Sequence, residues 1–482
     1  MDRSLAHSLA WKAAGDWFSQ IFSWASLLII VRLLSPADFG TVGMGIVLLP
    51  YLRYLGAFGV PRIIVNFRDL TRGQIAQLNT LSVALGLTCF SLATVLAHPV
   101  SLFFRDPHLT PVVIVTSLSL IPWGFSAVPE GLIDKEMRFR QASIYDALFA
   151  MTAAAVTLIM AYMGFRYWAL VCGNVVAAVV RSGLIVAARP HSYAVPRLRE
   201  LRQPLLFGWH VVVSLVSLNA YSTLDNVTVG RVLGRSALGF YGLAWTLANL
   251  PLEKVTSLVT TVVPSYLAVV QETPSEIRRY IRTLTEALSL ITFPATVGLA
   301  LVAKELIPLA LGHKWDGVVR PLQILSFYAA FRSIVALLPK VLTAVGNARF
   351  VMWVDLFALM LMPTAFYIGA HRGIAGVAWA WVFAYPLVAG LMYRKTFTVT
   401  GMKITEYVRA LRPAFDGTVV MSTFVLLLKF LTPQNVSGVA RLIMEITIGV
   451  TVYTATVFLL HRERARAFLR LSGNLKRSRH QQ

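Results

Sequence analysis

The amino-acid sequence predicts an all-α polytopic membrane protein of about fourteen transmembrane helices, built as two six-helix repeats followed by two C-terminal helices. Three observations predict it. Hydrophobic residues make up 57% of the 482 positions and charged ones only 14%, against roughly 25% charged in a soluble domain. Apolar runs long enough to cross a bilayer follow one another with short polar connections. Lysine and arginine are spread over those connections unequally, in alternation.

The predicted spans, in order, are 13–34, 40–60, 76–97, 109–130, 143–163, 166–188, 207–229, 237–263, 283–303, 319–341, 351–370, 372–392, 413–431 and 438–460. Gly369, His371, Arg372 and Gly373 mark a tight turn that separates 351–370 from 372–392. The spans group into an N-terminal six-helix lobe (1–188), a cytoplasmic linker (189–206), a C-terminal six-helix lobe (207–392), two additional helices (393–460) and a basic cytoplasmic tail (461–482). Lys12 and Asp16 precede the first apolar run and no small-residue cleavage site follows it, so it reads as a retained helix rather than a signal peptide. Cys89 and Cys172 both fall inside apolar runs, which suits packing and excludes a disulfide framework or a metal site.

The net charge of +22 would suggest nucleic acid in a soluble chain. Here the basic residues sit in membrane-flanking connections, and no nucleic-acid partner is expected. With the N-terminus taken as cytoplasmic, about 29 of the 44 Lys and Arg fall on that side and about 10 on the other. The bias places both termini in the cytoplasm.

The two halves repeat. A shift of 199 residues superposes VRLLSPADFGTVG, from Val31, on GRVLGRSALGFYG, from Gly230. Arg32 then meets Arg231, Leu34 meets Leu233, Gly40 meets Gly239 and Gly43 meets Gly242. Both stretches join one apolar run to the next, as expected of parallel repeats in a transporter.

These residues carry a resemblance. The helix count, the turn RLLSPADFG after the first span, the basic loop GLIDKEMRFRQAS after the fourth and DNVTVGRVLGRSALGFYG at the start of the second half resemble Wzx-type polysaccharide flippases of the exopolysaccharide subgroup. That family lies within the multidrug/oligosaccharidyl-lipid/polysaccharide exporter superfamily. The resemblance implies two lobes around a central cavity that alternates between inward-open and outward-open states. It implies a substrate in which an oligosaccharide repeat unit is joined through pyrophosphate to an isoprenoid lipid, moved across the bacterial inner membrane for surface or extracellular polysaccharide biosynthesis. Membrane lipids, and a polysaccharide polymerase with other assembly proteins, are the expected partners. No cofactor or metal is expected, and the chain has no GxxxxGK[ST] phosphate loop.

Ionisable groups at membrane depth are costly and tend to face protein, water or substrate. Asp16 and Gln20 form, with Ser23, a polar stripe on the first span. Arg53 lies in the second and is a candidate for the substrate cavity, with snorkelling toward the headgroups as the alternative. In the eighth, Trp245, Asn249 and Glu253 fall at i, i+4 and i+8 on one face. The repeat shift aligns Glu253 with Tyr54, beside Arg53, which places opposite charges at similar depth. Asp225 ends the seventh span in a polar cluster. Arg332 sits mid-span, too deep to snorkel, and its planar fork suits pyrophosphate oxygens. Arg181, nearer a span end, is expected to snorkel.

Two other functions compete. A cation-coupled drug or metabolite exporter of the same superfamily would need a buried carboxylate, for which Asp16 or Asp225 would serve. A membrane polymerase or ligase would need a long outer loop for its catalytic residues, whereas the longest here is about 15 residues. The chain is therefore not read as an enzyme.

Overall fold

In a computed structural model of the protein, the structure describes residues 24–67, 69–197, 199–270, 274–433 and 436–462. Among them there are helices and no strands. Among the described residues, eleven helical segments are long and apolar enough to cross a membrane. The all-α polytopic expectation is borne out, and each of these segments coincides with a span predicted from the sequence. Asp16 and Gln20 lie outside the described residues.

The chain divides into two compact units, 1–239 and 240–481. The first holds α1 (Trp24–Leu33), α2 (Pro36–Gly45), α3 (Leu49–Ala57), α4 (Val60–Asn66), α5 (Arg72–Phe104), α6 (Leu109–Ser117), α7 (Leu120–Lys135), α8 (Phe139–Tyr162), α9 (Tyr167–Ala188), α10 (Arg202–Leu233) and the first residues of α11 (Arg235–Val270). Local sequence explains the starts. Ser35 accepts the Asp38 backbone N–H, Asp38 accepts the Ser35 backbone N–H, and Pro36 occupies the first turn, where its missing N–H costs nothing. Thr71 and Gln74 make the same reciprocal cap on α5. Between α3 and α4 the backbone turns through Phe58 and Gly59, both left-handed.

The repeat motif has a structural counterpart. A Cβ at Gly40 would lie 1.7 Å from the Arg235 carbonyl oxygen, and a Cβ at Gly239 would lie 1.9 Å from the Pro36 carbonyl oxygen. Under the 199-residue shift Pro36 corresponds to Arg235 and Gly40 to Gly239. The starts of α2 and α11 thus press on each other reciprocally, through equivalent residues, at positions only glycine can fill.

The segment after α9 is not a free linker. Ala194 N–H donates to Thr80 Oγ1 at 3.1 Å, Arg197 N–H to Gln77 Oε1 at 2.8 Å, and Gln77 Nε2 to Glu200 Oε2 at 3.0 Å. Polar side chains near the start of α5 satisfy backbone groups that no helix of their own can serve.

The second unit comprises the rest of α11, then α12 (Pro274–Leu311), a 3₁₀ turn (His313–Val318), α13 (Val319–Val335), α14 (Leu338–Ala344), α15 (Ala348–Ala370), α16 (Gly373–Thr400), α17 (Ile404–Leu431) and α18 (Gly438–Leu460). The predicted turn at 369–373 separates α15 from α16, with Gly373 left-handed at φ 76°. Both α17 and α18 pack on α12. Lys429 donates to Glu305 Oε2 at 2.6 Å and lies 3.4 Å from Glu445 Oε2. Tyr453 donates to the Leu290 carbonyl at 2.7 Å.

Candidate functional site

Each unit carries charged side chains inside its membrane-crossing helices. In the first, Arg53 of α3 opens on a cleft of about 330 Å³ that is also lined by Trp123, Glu130, Arg62 and Leu215. Its guanidinium carbon lies 4.1 Å from the centre of the Trp123 ring, within the range where a cation is held by the negative face of an aromatic ring. The neighbouring charges on Arg53 are Glu130, Arg181 and Asp146.

Arg181 departs from the sequence expectation. It does not snorkel but bridges two helices, with Nη2 3.0 Å from Glu130 of α7 and Nε 2.9 Å from Asp146 of α8. Its side chain is only 13% exposed. Glu130, which lines the cleft beside Arg53, is therefore tied into an ion-paired junction of α7, α8 and α9.

In the second unit Arg332 of α13 lies twelve residues before the end of the span that closes at Ala344, about 18 Å from that end at 1.5 Å per residue. Its Nη1 donates to Asn249 Oδ1 at 2.8 Å, and its guanidinium carbon is 5.6 Å from the Trp245 ring centre. Asn249 is 2% exposed. The face of α11 expected to be polar thus does meet Arg332, through Trp245 and Asn249. The side chain of Glu253 lies outside the described residues.

Aromatic packing fixes this arrangement. Trp245 packs 5.2 Å from Trp381 and 6.0 Å from Tyr328, between ring centres. Trp381 donates its indole N–H to Tyr241 Oη at 2.9 Å. Thr292 and Ser333 hydrogen-bond at 2.8 Å on the residue next to Arg332. The Asn249 amide oxygen and the Trp245 ring hold the guanidinium in one orientation, and its planar fork has the geometry to pair bidentately with phosphate oxygens.

Asp225 is fully buried in α10, where its Oδ1 accepts the Asn226 backbone N–H at 2.6 Å. That geometry suits a packed polar cluster. Among the described residues no group of three or more His, Cys, Asp or Glu could hold a metal.

Sequence reasoning passed over Glu130, Trp123 and the cluster of Glu305, Lys429 and Glu445. Glu445 is 1% exposed and lies in the eighth position of α18, so an ionisable residue inside a predicted span was the available signal. Its partners sit at the ends of other spans, and nothing local connects them.

Comparison with known proteins adds a family. The family model for polysaccharide biosynthesis proteins matches residues 29–320. A membrane protein encoded in the cps region of Klebsiella pneumoniae is 23% identical over 459 residues, covering 94% of each chain. The lipopolysaccharide biosynthesis protein WzxC of Escherichia coli is 23% identical over 80% of this chain and 79% of its own. The succinoglycan biosynthesis transport protein ExoT of Rhizobium meliloti is 21% identical, over 97% and 95% respectively. Among solved structures, the lipid II flippase MurJ in an inward closed conformation superposes with a TM-score of 0.78 at 14% identity, covering 94% of this chain and 99% of its own. An inward-facing multidrug resistance transporter of the MATE family gives 0.66 at 16% identity, covering 79% and 94%. The structural likenesses establish the fold, an all-helical polytopic transporter fold, and the match over more than half the sequence shows that the chain belongs to the polysaccharide biosynthesis protein family.

Proposed function

We propose that the protein is a flippase that moves a lipid-linked oligosaccharide repeat unit across the bacterial inner membrane by alternating access. The observation that carries this reading is the family match over residues 29–320. It is supported by a transport protein for succinoglycan among the relatives and by the fold shared with a lipid II flippase. In this reading the lobes are 1–188 and 207–392, joined by 189–206, with both termini cytoplasmic. Arg332 meets the pyrophosphate partway across, because a doubly charged group cannot enter a low-dielectric region without a cationic partner. Arg53, Asn249 and Glu253 line the same route, with Asp16, Gln20 and Asp225 as further polar positions on it. Membrane lipids surround the protein, a polymerase and other assembly proteins receive its product, and the chain itself catalyses no covalent step.

The test is a deletion strain. Lipid-linked repeat units should build up on the inner leaflet, surface polysaccharide should disappear, and the wild-type gene should restore both. Normal polysaccharide export without the gene would refute the reading. The likeness to a multidrug transporter and the buried Asp225 favour one other reading, a cation-coupled exporter. In that case the deletion strain would become drug-sensitive and keep its polysaccharide.

A further inference from the structure

At one end of the first unit, the α1–α2, α5–α6 and α8–α9 turns meet the start of α11. Two adjoining pockets lie there, of about 490 Å³ and 370 Å³, and they share His108 and Arg235. Each falls within the range of small-molecule sites, roughly 300–1,000 Å³. The orientation proposed above puts this end outside the cell.

The larger pocket has an aromatic wall. Tyr167 and Trp168 lie 5.5 Å apart between ring centres, and the His108 ring lies 6.2 Å from Tyr167. Cations share the lining: Arg166 and Arg235 line the larger pocket, Arg105 and Arg235 the smaller. Among the described residues neither Arg105 nor Arg166 forms an ion pair, and Arg235 reaches Asp106 only at 3.9 Å. The two carboxylates at the site are already engaged. Asp38 accepts from the Ser35 hydroxyl and backbone N–H at 2.5 and 2.9 Å, and Asp106 accepts the His108 backbone N–H at 3.0 Å.

The backbone adds an independent point. Arg105 is left-handed helical at φ 58°, ψ 37°, and Arg166 holds φ 49° with ψ −133°, another positive-φ conformation that glycine adopts freely; each costs a non-glycine residue about 1–3 kcal/mol. Arg105 sits where α5 ends, a position glycine usually fills. Two of the four non-glycine residues with positive φ among those described are these arginines. Long cationic side chains occupy positions whose backbone favours none.

Tyr and Trp at a span end also serve as interfacial anchors, but anchoring needs neither a pocket nor arginines in its lining. The combination suits a sugar. The C–H-rich face of a pyranose lies well on the negative face of an aromatic ring, and guanidinium forks pair bidentately with a carboxylate. We propose that these two pockets form a receiving site for the glycan portion of the substrate, selective for sugars that carry a carboxylate. The inference rests on the flippase reading and names its substrate class as an acidic oligosaccharide.

The test is calorimetric titration of the purified full chain, which includes no transport step. The probes are trigalacturonate, the neutral maltotriose, and inorganic phosphate. Trigalacturonate should bind saturably and at least about tenfold more tightly than either of the others. Arg166→Ala and Trp168→Ala should each weaken it about tenfold or more, and Trp168→Phe, which keeps an aromatic face, should weaken it less. If Arg166→Ala does not fold, Arg166→Lys keeps the charge and loses the fork, and an intermediate loss is expected. Absence of saturable trigalacturonate binding, equal affinity for maltotriose, or unchanged affinity in both Arg166 variants would overturn the proposal. Phosphate binding as tightly as trigalacturonate would overturn it too, in favour of a phosphate or lipid-headgroup site. A protein that restores export in the deletion strain yet fails this titration rejects the site and leaves the flippase reading intact.

Discussion

The reciprocal contact between α2 and α11 can be tested by adding one methyl group. With ideal geometry on the glycine backbone, the new Cβ of Gly40→Ala lies 1.7 Å from the Arg235 carbonyl oxygen, and that of Gly239→Ala 1.9 Å from the Pro36 carbonyl oxygen. Such contacts essentially never fall below 3.0 Å, so the backbones must separate by about 1.3 Å in one case and about 1.1 Å in the other. Neither obstacle is a side chain that can swing aside. Over-packing costs about 1–3 kcal/mol, and a backbone obstacle puts each variant near the upper value. Replacing a helical glycine by alanine returns up to about 1 kcal/mol, which leaves a net loss of about 2 kcal/mol for each. One separation relieves both clashes. The double variant carries that one cost with two alanine returns, so it should lose about 1 kcal/mol, less than either single variant, a coupling of about 3 kcal/mol. Thermal unfolding of the purified full chain measures this, with Gly242→Ala as control, since a Cβ there meets nothing within 4 Å. Gly40→Ala as heat-stable as the control, or losses that simply add in the double variant, would refute the reasoning.

Three further outcomes are expected. Arg332→Lys should insert at normal abundance and lose about tenfold or more of glycan export, because lysine keeps the charge but not the fork held by Asn249; immunoblots of membranes against export of the polysaccharide measure it, and full export would remove Arg332 from the route. Lys429→Ala strands the carboxylates of Glu305 and Glu445, a loss of about 3–5 kcal/mol for a broken buried pair, and membrane abundance should fall; normal abundance would show that the cluster contributes little. Hydrogen bonds from Gln77 and then Arg197 hold the Glu200 carboxyl below its ordinary value of 4.5. The contribution of that strap is complete above 4.5 and is lost as pH falls through the lowered value, so the protection of amides in 189–197 and 199–201, measured against their intrinsic exchange rates, should fall in acid, and Glu200→Gln should abolish that loss.

The helices were legible because bilayer thickness imposes a length on each apolar run, and the α15–α16 break was legible because Gly369 and Gly373 stand at it. The reason for the glycines near that break is tertiary: a Cβ at Gly376 would lie 2.0 Å from the Gly369 carbonyl oxygen, so the two helices touch backbone to backbone. Trp245 and Asn249 were legible as one face because helical periodicity puts i and i+4 together. That Arg332, 83 residues away, closes on that face was not legible, because the two residues belong to different helices that meet only when α11 and α13 pack. Arg181 was misjudged because snorkelling depends on distance to the interface, whereas its partners Glu130 and Asp146 come from other helices. The Glu305, Lys429 and Glu445 cluster was invisible for the same reason, since residues at the ends of separate spans acquire a common environment only when α12, α17 and α18 pack.

The paired glycines also bear on how far the two copies of the motif can differ. A contact in which residue i of one copy meets residue j of another, while j meets i, is what two identical chains make across a two-fold axis. A single pair of positions, repeated once in the sequence, therefore generates both glycine contacts. Each copy of the motif is free to change wherever this local contact does not forbid it. Ser35-Pro36 in one half and Gly234-Arg235 in the other record that freedom, and Gly40 and Gly239, where any side chain would strike a carbonyl, record its limit.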